Sequence, residues 1–492
     1  MTAVTPIAPT PADRRLGEAC PFIDGEWVRS TTDGETPKID PFTGAQTGVV
    51  HLGGVDEIDR AVAIAQAAWP AWRDLAPDHR RDILLRVADL IDVEAASLAA
   101  TATTELGTTL NVSQAGAATA SSWFRYYAGW ADKLEGATVP VFPVDGFDYT
   151  LPEPYGVVGV IITWNGPLYS IGMKVAPALA AGNCVVLKSP ELTPFAAARF
   201  ADLAIDAGLP AGVLHVIPGG PAAGDRLVRH PDVAKISFTG GPATAAAISH
   251  AAADLLKPLT MELGGKSANL VFPDADLDTA IPFSVALPFM GAGQGCTHPT
   301  RLIVHSDIYD EVVARAQAVL EHMPLGDPLL ADTAIGPVIT EAAANRVVAM
   351  VRQGVDEGGR LIMGGERAAG DLANGFFVRP AIVADVPPDG YLAQNEVFGP
   401  VLAIMKFSTE DDAVRIANAT RYGLAAYVQT SDVKRATRLA RSLRAGAVNV
   451  NGFFGLAASA PFGGYQASGY GREGGRAGIE EFLQIKNVFL GS

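Results

Sequence analysis

VVGVII at 157–162, CVVLK at 184–188, VLHVI at 213–217 and AKISF at 234–238 are four short β-rich runs, each followed by a helical pattern, near 169–181, 194–207, 222–229 and 242–256. The runs are apolar on both of their alternating faces. Such strands need cover on both sides, which predicts a parallel sheet flanked by crossover helices. The rhythm resumes with NLVF (269–272), RLIVH (301–305), LAAYV (424–428) and AVNV (447–450), predicting a second α/β unit. Upstream, IDRAVAIAQAAW and RRDILLRVADLIDVEAASLAA repeat apolar residues at three- and four-residue spacing, so 57–100 reads as helical.

A chain of 492 residues is too long for one ordinary core. With 49% hydrophobic and 18% charged residues it buries large cores and is not disordered. A net charge of −16 without any Lys/Arg-rich block argues against a nucleic-acid surface. No long uninterrupted apolar stretch predicts a membrane span. Cys20, Cys184 and Cys296 have no metal-ligand spacing, so no metal is expected, and so few thiols suit a reducing cytoplasm. MTAVTPIAPTPADRR has neither the charge nor the apolar core of a signal peptide and reads as a flexible leader over 1–18.

Ligands of open parallel sheets bind beyond the carboxyl ends of the strands. Trp164 and Asn165 follow the first run, Lys188 and Glu191 end or follow the second, Gly219 and Gly220 the third, and Thr239, Gly240 and Gly241 the fourth. Their clustering at one sheet edge points to a nucleotide-sized ligand, although no GxGxxG turn follows the first strand. FMGAGQGCTHPTR (289–301) presents Cys296 on a glycine-rich loop, open to close approach. MELGGKSANLVF supplies Glu262, and TWNGP supplies Asn165. A thiol to attack, an amide for the oxyanion and a carboxylate to activate water are the parts of covalent chemistry on a carbonyl. Cys184, in an apolar strand, reads as an inert thiol, and Cys20 can be read the same way. His298, two residues beyond Cys296, is a rival base that would suggest a hydrolase.

RYYAGWADKLEG, TWNGP, LKSPELTP, FTGG, MELGGKSANLVF, GQGC, NEVFGP and PFGGYQASGYGRE occur in an order that resembles the aldehyde dehydrogenase superfamily over nearly the whole chain. The resemblance implies an α/β fold with a Rossmann-like cofactor domain (1–135 and 155–261), a second α/β catalytic domain (262–470) and a small β arm for oligomerisation (136–154 and 471–492). It implies NAD-dependent oxidation of an aldehyde to an acid by Cys296, Glu262 and Asn165, with Lys174 and Glu473 supporting proton movement and His298 without a role as base. Trp164, Lys188, Glu191, Gly240, Gly241, Leu263, Glu396 and Phe398 would contact the cofactor. Glu191 would accept from ribose hydroxyls and repel a 2′-phosphate, favouring NAD over NADP. The family usually has Ser at the position of Gly241 and Gly at that of Ala245, so phosphate contacts would rest on free N–H groups of the helix that begins at Pro242 and on Trp164. Gly166, Tyr169, Ser170, Met173, Met290 and Leu456 would line the substrate tunnel, with Gly166 leaving space beside the sulfur. No arginine lies among them, which favours a neutral, medium to bulky apolar or aromatic aldehyde; Arg301 begins a strand and reads as structural. The alternatives are a semialdehyde dehydrogenase, transfer of the acyl group to coenzyme A, and a thiol esterase or hydrolase. The expected partners are a small-molecule aldehyde and further copies of the chain, as a homodimer or homotetramer, and not nucleic acid or membrane.

Overall fold

The computed structural model describes residue 10 and residues 12–491. Val157–Ile161, Cys184–Pro190 and Leu214–Gly219 are buried along their whole length. They pair in parallel with one another, and Lys235–Thr239 adds beside Val157–Ile161, followed by Leu259–Glu262. In chain order these five strands lie 3-2-1-4-5, the order of a doubly wound nucleotide-binding sheet. The crevice at the reversal lies between Val157–Ile161 and Lys235–Thr239, the two strands that lead into Trp164–Asn165 and Gly240–Gly241. Gly159 sits where a Cβ would meet Ile236 and Leu227 at 2.7 and 3.0 Å, so the glycine lets the helix Pro221–Arg229 pack close to the sheet.

The helix expected over 169–181 is broken into three parts. Pro167–Ser170 is α-helical, Ile171–Val175 forms a π turn, and Ala176–Ala180 is α-helical again. The wide turn carries Lys174, which is buried. Four helices, Val55–Arg73, Pro77–Val93, Ala95–Leu106 and Leu110–Ala128, precede the sheet and share its core.

The second sheet runs Arg360–Met363, Ala381–Ala384, Val401–Phe407, Arg301–His305, Ala268–Val271, Ala425–Gln429, Ala447–Val450, parallel except at its first pair. It has a core of its own. A third sheet pairs Leu483–Gly491 with Gly146–Pro154 in antiparallel register, edged by Thr138–Val139.

Three expected boundaries move. The leader expected over 1–18 lies partly outside the described residues, but Leu16 is buried against Val50 and Phe195, and Gly17–Ala19 is a strand. Residues 471–482 do not join the small sheet, because Ile479 and Phe482 fill the first core. Gly469–Tyr470 pairs with Leu259–Glu262 and so belongs to the first sheet, not to the second unit. Among the described residues no helix is long and apolar enough to cross a membrane.

Candidate active site

Cys296 is half-buried beyond the short 3-10 turn Met290–Gly293. Its loop is tied down on three sides. The Asn165 amide donates to the Gln294 carbonyl at 2.8 Å, and Thr163 Oγ1 donates to Asn165 Oδ1 at 2.9 Å. Gln294 Oε1 accepts from the Ile339 N–H at 2.9 Å. Gly293, with φ +73°, has no room for a side chain, since a Cβ would lie 2.1 Å from the Gly399 carbonyl. These contacts bring TWNGP, GQGC and NEVFGP to one point, with the Asn165 side chain bonded two residues before Cys296.

Glu262 ends the last parallel strand of the first sheet. It is buried, neither carboxylate oxygen has a hydrogen-bond partner, and a Cβ on Gly463 would meet Oε1 at 2.8 Å. Burial first, then repulsion from Glu473, holds its carboxyl well above the usual range, with Lys174 and Arg472 opposing. Lys174 Nζ pairs with Glu473 and donates to Ser237 Oγ at 3.1 Å. Both partners of that pair are buried, so removing one leaves an uncompensated charge. Burial, with Glu396 and Glu262 adding to it, pushes the Cys296 thiol up to about 12.

The two glycines of MELGGK are steric necessities. A Cβ on Gly264 would meet Glu396 Oε2 at 2.2 Å, and one on Gly265 would meet the Cys296 carbonyl at 2.5 Å. Glu396 Oε1 accepts from the Gly265 N–H at 2.9 Å. Phe398, at φ +50°, sets its ring edge-on to Trp164 with centroids 5.4 Å apart. A left-handed non-glycine residue costs roughly 1–3 kcal/mol and is kept only where its surroundings fix it. The Leu263 N–H donates to the Ser468 carbonyl, and the Gly240 N–H to the Glu262 carbonyl.

At the nucleotide edge, Lys188 is buried and its Nζ lies 3.8 Å from Glu191 Oε2, which is partly exposed. Burial lowers the Lys188 pKa and Glu191 opposes it. Gly241 caps the helix Pro242–Ala253 without a side-chain bond, and a Cβ there would meet nothing within 4 Å. This leaves free N–H groups beside open space, which fits a phosphate group. Glu191 with Lys188 fits the hydroxyls of a ribose. The residues expected around a dinucleotide therefore fit one.

His298 is no partner for the thiol. Its ring packs under Gly295, where a Cβ would meet Nε2 at 2.3 Å, and among the described residues no hydrogen bond joins it to Cys296. Burial lowers its pKa to about 4, so it stays neutral. Arg301 is fully buried and spends its guanidinium on the carbonyls of Lys266, Ile416 and Ala417.

Among the tunnel positions, Tyr169, Met173 and Leu456 pack on the first core along with Cys296. Ser170 is buried next to them in the helix Pro167–Ser170. Met290 belongs to a small separate cluster around Tyr427. The space expected beside Gly166 is a correction: a Cβ there would meet Tyr169 Cδ2 at 3.1 Å, so the tyrosine ring occupies that side. The ring is held by a bond from its hydroxyl to the Val112 carbonyl at 3.1 Å. Sequence reading missed Phe453 and Phe454, whose rings continue from Tyr427 toward Phe462. The run NGFF between two glycines was their only signal. It also missed Ser237, a polar residue in the strand Lys235–Thr239 that reaches Lys174.

The family profile for aldehyde dehydrogenases matches residues 27–488. The chain belongs to the aldehyde dehydrogenase family. This aldehyde dehydrogenase is 40% identical over 473 residues to the human mitochondrial aldehyde dehydrogenase, covering 95% of this chain and 91% of that protein. It is 39% identical over 472 residues to the betaine aldehyde dehydrogenase of Bacillus subtilis, covering 95% and 96%. Its fold matches the crystal structure of PnpE from a Pseudomonas species with a TM-score of 0.94 and 36% identity, covering 96% of this chain and 97% of that one. PnpE has also been solved in complex with nicotinamide adenine dinucleotide, at the same likeness.

Proposed function

We propose that this aldehyde dehydrogenase oxidises its substrate with NAD through a covalent intermediate on Cys296. The observation that carries the reading is the meeting of two strand ends with the Cys296 loop. The Asn165 amide ties that loop down at Gln294, and Glu262 lies near enough to raise the Cys296 thiol. The Cys296 thiolate, its proton released to solvent, bonds to the aldehyde carbon, and the Asn165 amide with the Cys296 N–H stabilises the oxyanion. Bound NAD supplies the hydride acceptor. Loss of hydride from the thiohemiacetal carbon leaves a thioester on Cys296. Glu262 takes a proton from water, whose oxygen bonds to the acyl carbon as the carbon–sulfur bond breaks, and the acid is released. Lys174 and Glu473 hold Glu262 in a charged surround that can return its proton to solvent. A carboxyl above its usual range is a stronger base once ionised, which favours water over coenzyme A as the acceptor.

Glu191 at the ribose side favours NAD over NADP. The wall of Tyr169, Met173, Leu456 and Phe454 favours a neutral, medium to bulky apolar or aromatic aldehyde. Phe147, Leu151 and Leu490 are exposed on one face of the small sheet, an apolar patch that supports assembly into a homodimer or homotetramer. Three free cysteines fit a reducing compartment such as the cytoplasm.

The test is NADH formation from benzaldehyde, acetaldehyde and succinic semialdehyde, with wild type and Cys296→Ser. The reading expects the highest kcat/KM for the aromatic aldehyde and no turnover by the variant with NAD binding retained. Oxidation by Cys296→Ser would refute the covalent route, and a lead for the semialdehyde would refute the apolar tunnel.

A further inference from the structure

The N-terminal three-stranded sheet gathers a set of side chains that aldehyde oxidation does not use. Gly17–Ala19 runs parallel to Gln46–His51, pairing Glu18 with Val49 and Ala19 with Val50, so Cys20 comes beside His51. Glu35–Ile39 runs antiparallel on the other side and sets Glu35 opposite His51. Glu18 and Cys20, two residues apart, share a face. One carboxylate oxygen, one sulfur and one ring nitrogen from Glu18, Cys20 and His51 lie within 4.8 Å of one another.

His51 is the second, independent observation. The residue is only 8% exposed, yet neither ring nitrogen makes a hydrogen bond. Nε2 faces Glu18 Oε2 at 3.7 Å, and Nδ1 faces Glu35 Oε1 at 3.1 Å. With Glu35 on Nδ1, the buried Nε2 is the nitrogen left without a hydrogen bond, which is costly unless something else satisfies it.

We propose that Glu18, Cys20 and His51 bind one divalent transition-metal ion of the zinc type, with Glu35 orienting the imidazole from behind. Thiolate, imidazole and carboxylate together suit zinc over magnesium or calcium. Three protein ligands leave a fourth position for water. Metal–ligand bonds of about 2.0–2.3 Å bring tetrahedral ligand atoms to about 3.3–3.7 Å of one another. The His51–Glu18 separation already meets this, and the Glu18 side chain is exposed enough to adjust. Glu35 stands to Nδ1 as the carboxylates behind metal-bound histidines do. Metal binding releases the Cys20 thiol proton to solvent as the metal–sulfur bond forms. The exposed Arg29, 3.4 Å from Glu18 Oε2, is the cation that an incoming metal displaces.

The test uses the full chain in a Cys296→Ser background, so that the half-buried Cys296 thiol binds nothing. Cobalt(II) titration is expected to give one equivalent with tetrahedral d–d and sulfur-to-metal charge-transfer absorption. Zinc should displace the cobalt and raise Tm. Cys20→Ser removes the charge-transfer band, Glu35→Gln weakens zinc about tenfold or more, and Arg29→Ala tightens it. A thiolate band that survives Cys20→Ser, or the absence of one in the parent protein, overturns the site. If Cys20→Ser misfolds, His51→Gln decides: loss of the zinc-dependent Tm rise supports the site, and an unchanged rise refutes it.

Discussion

Replacing Glu262 with glutamine isolates one step of the proposed route. The carboxylate accepts no hydrogen bond, so the amide breaks none, and it fills nearly the same volume beside Gly463. The carboxyl already leaves two buried oxygens unpaired, so the change in stability should stay below about 1 kcal/mol. Acylation keeps its parts: Cys296, the Asn165 amide and the nucleotide edge are untouched. Deacylation loses its base. A positioned general base contributes about 100- to 10,000-fold, so thioester hydrolysis should slow by about 2.7–5.5 kcal/mol of barrier. Rapid mixing of Glu262→Gln with NAD and benzaldehyde should give a burst of about one NADH per site, followed by a steady rate at least a hundredfold below wild type. Mass spectrometry of the quenched protein should find the acyl group on Cys296. His298 cannot take over, because burial makes it a weak base and its ring lies under Gly295. A wild-type steady rate in Glu262→Gln would refute the assignment of the base, and a further loss in Glu262→Gln/His298→Asn would show where the error lay.

Glu191→Ala should narrow the gap in kcat/KM between NAD and NADP, since it removes a like charge from the 2′-phosphate; an unchanged ratio would count against Glu191 as the ribose ligand. Gly166→Phe must displace the Tyr169 ring and its bond to Val112, so it should cost about 1–3 kcal/mol of stability by overpacking and depress benzaldehyde oxidation more than acetaldehyde oxidation. Equal losses on both aldehydes would remove Gly166 and Tyr169 from the tunnel wall. Acid should destabilise the protein through His215 and His298, both buried and both lowered to about 4. Their folded pKa values lie below the unfolded one, so their contribution is complete above about pH 6.5 and is lost as pH falls toward 4, by up to about 2.7 kcal/mol per pH unit for the pair. Chemical denaturation across that window measures it, and His298→Asn should reduce the slope; a slope unchanged by the substitution would refute the neutral buried state.

The alternating strands were legible because strands buried on both faces have to be apolar throughout, and VVGVII, CVVLK and RLIVH announce this locally. Val401–Phe407 is equally apolar and lies near the middle of its sheet, and it went unread although Gly399-Pro400 precedes it and the helix Glu410–Asn418 follows. The π turn at Ile171–Val175 was not legible. A would-be Cβ on Gly172 lies 2.9 Å from Ala120, and that contact belongs to a helix fifty residues earlier.

The sequence alone determined the chemistry on offer: a thiol on a glycine loop, a carboxylate, an amide, and strand ends rich in cofactor-type residues. Each is a matter of residue type and local backbone freedom. Only the tertiary structure decided which groups meet. It set Gly264 and Gly265 against Glu396 and Cys296, closed Tyr169 over Gly166, packed the His298 ring under Gly295 and joined Lys174 to Glu473 across 299 residues. It likewise assembled Glu18, Cys20 and His51 from strands that share no motif. Burial and charge proximity depend on distances between segments far apart in the chain. Those distances follow from how two sheets pack, which no local run of residues encodes.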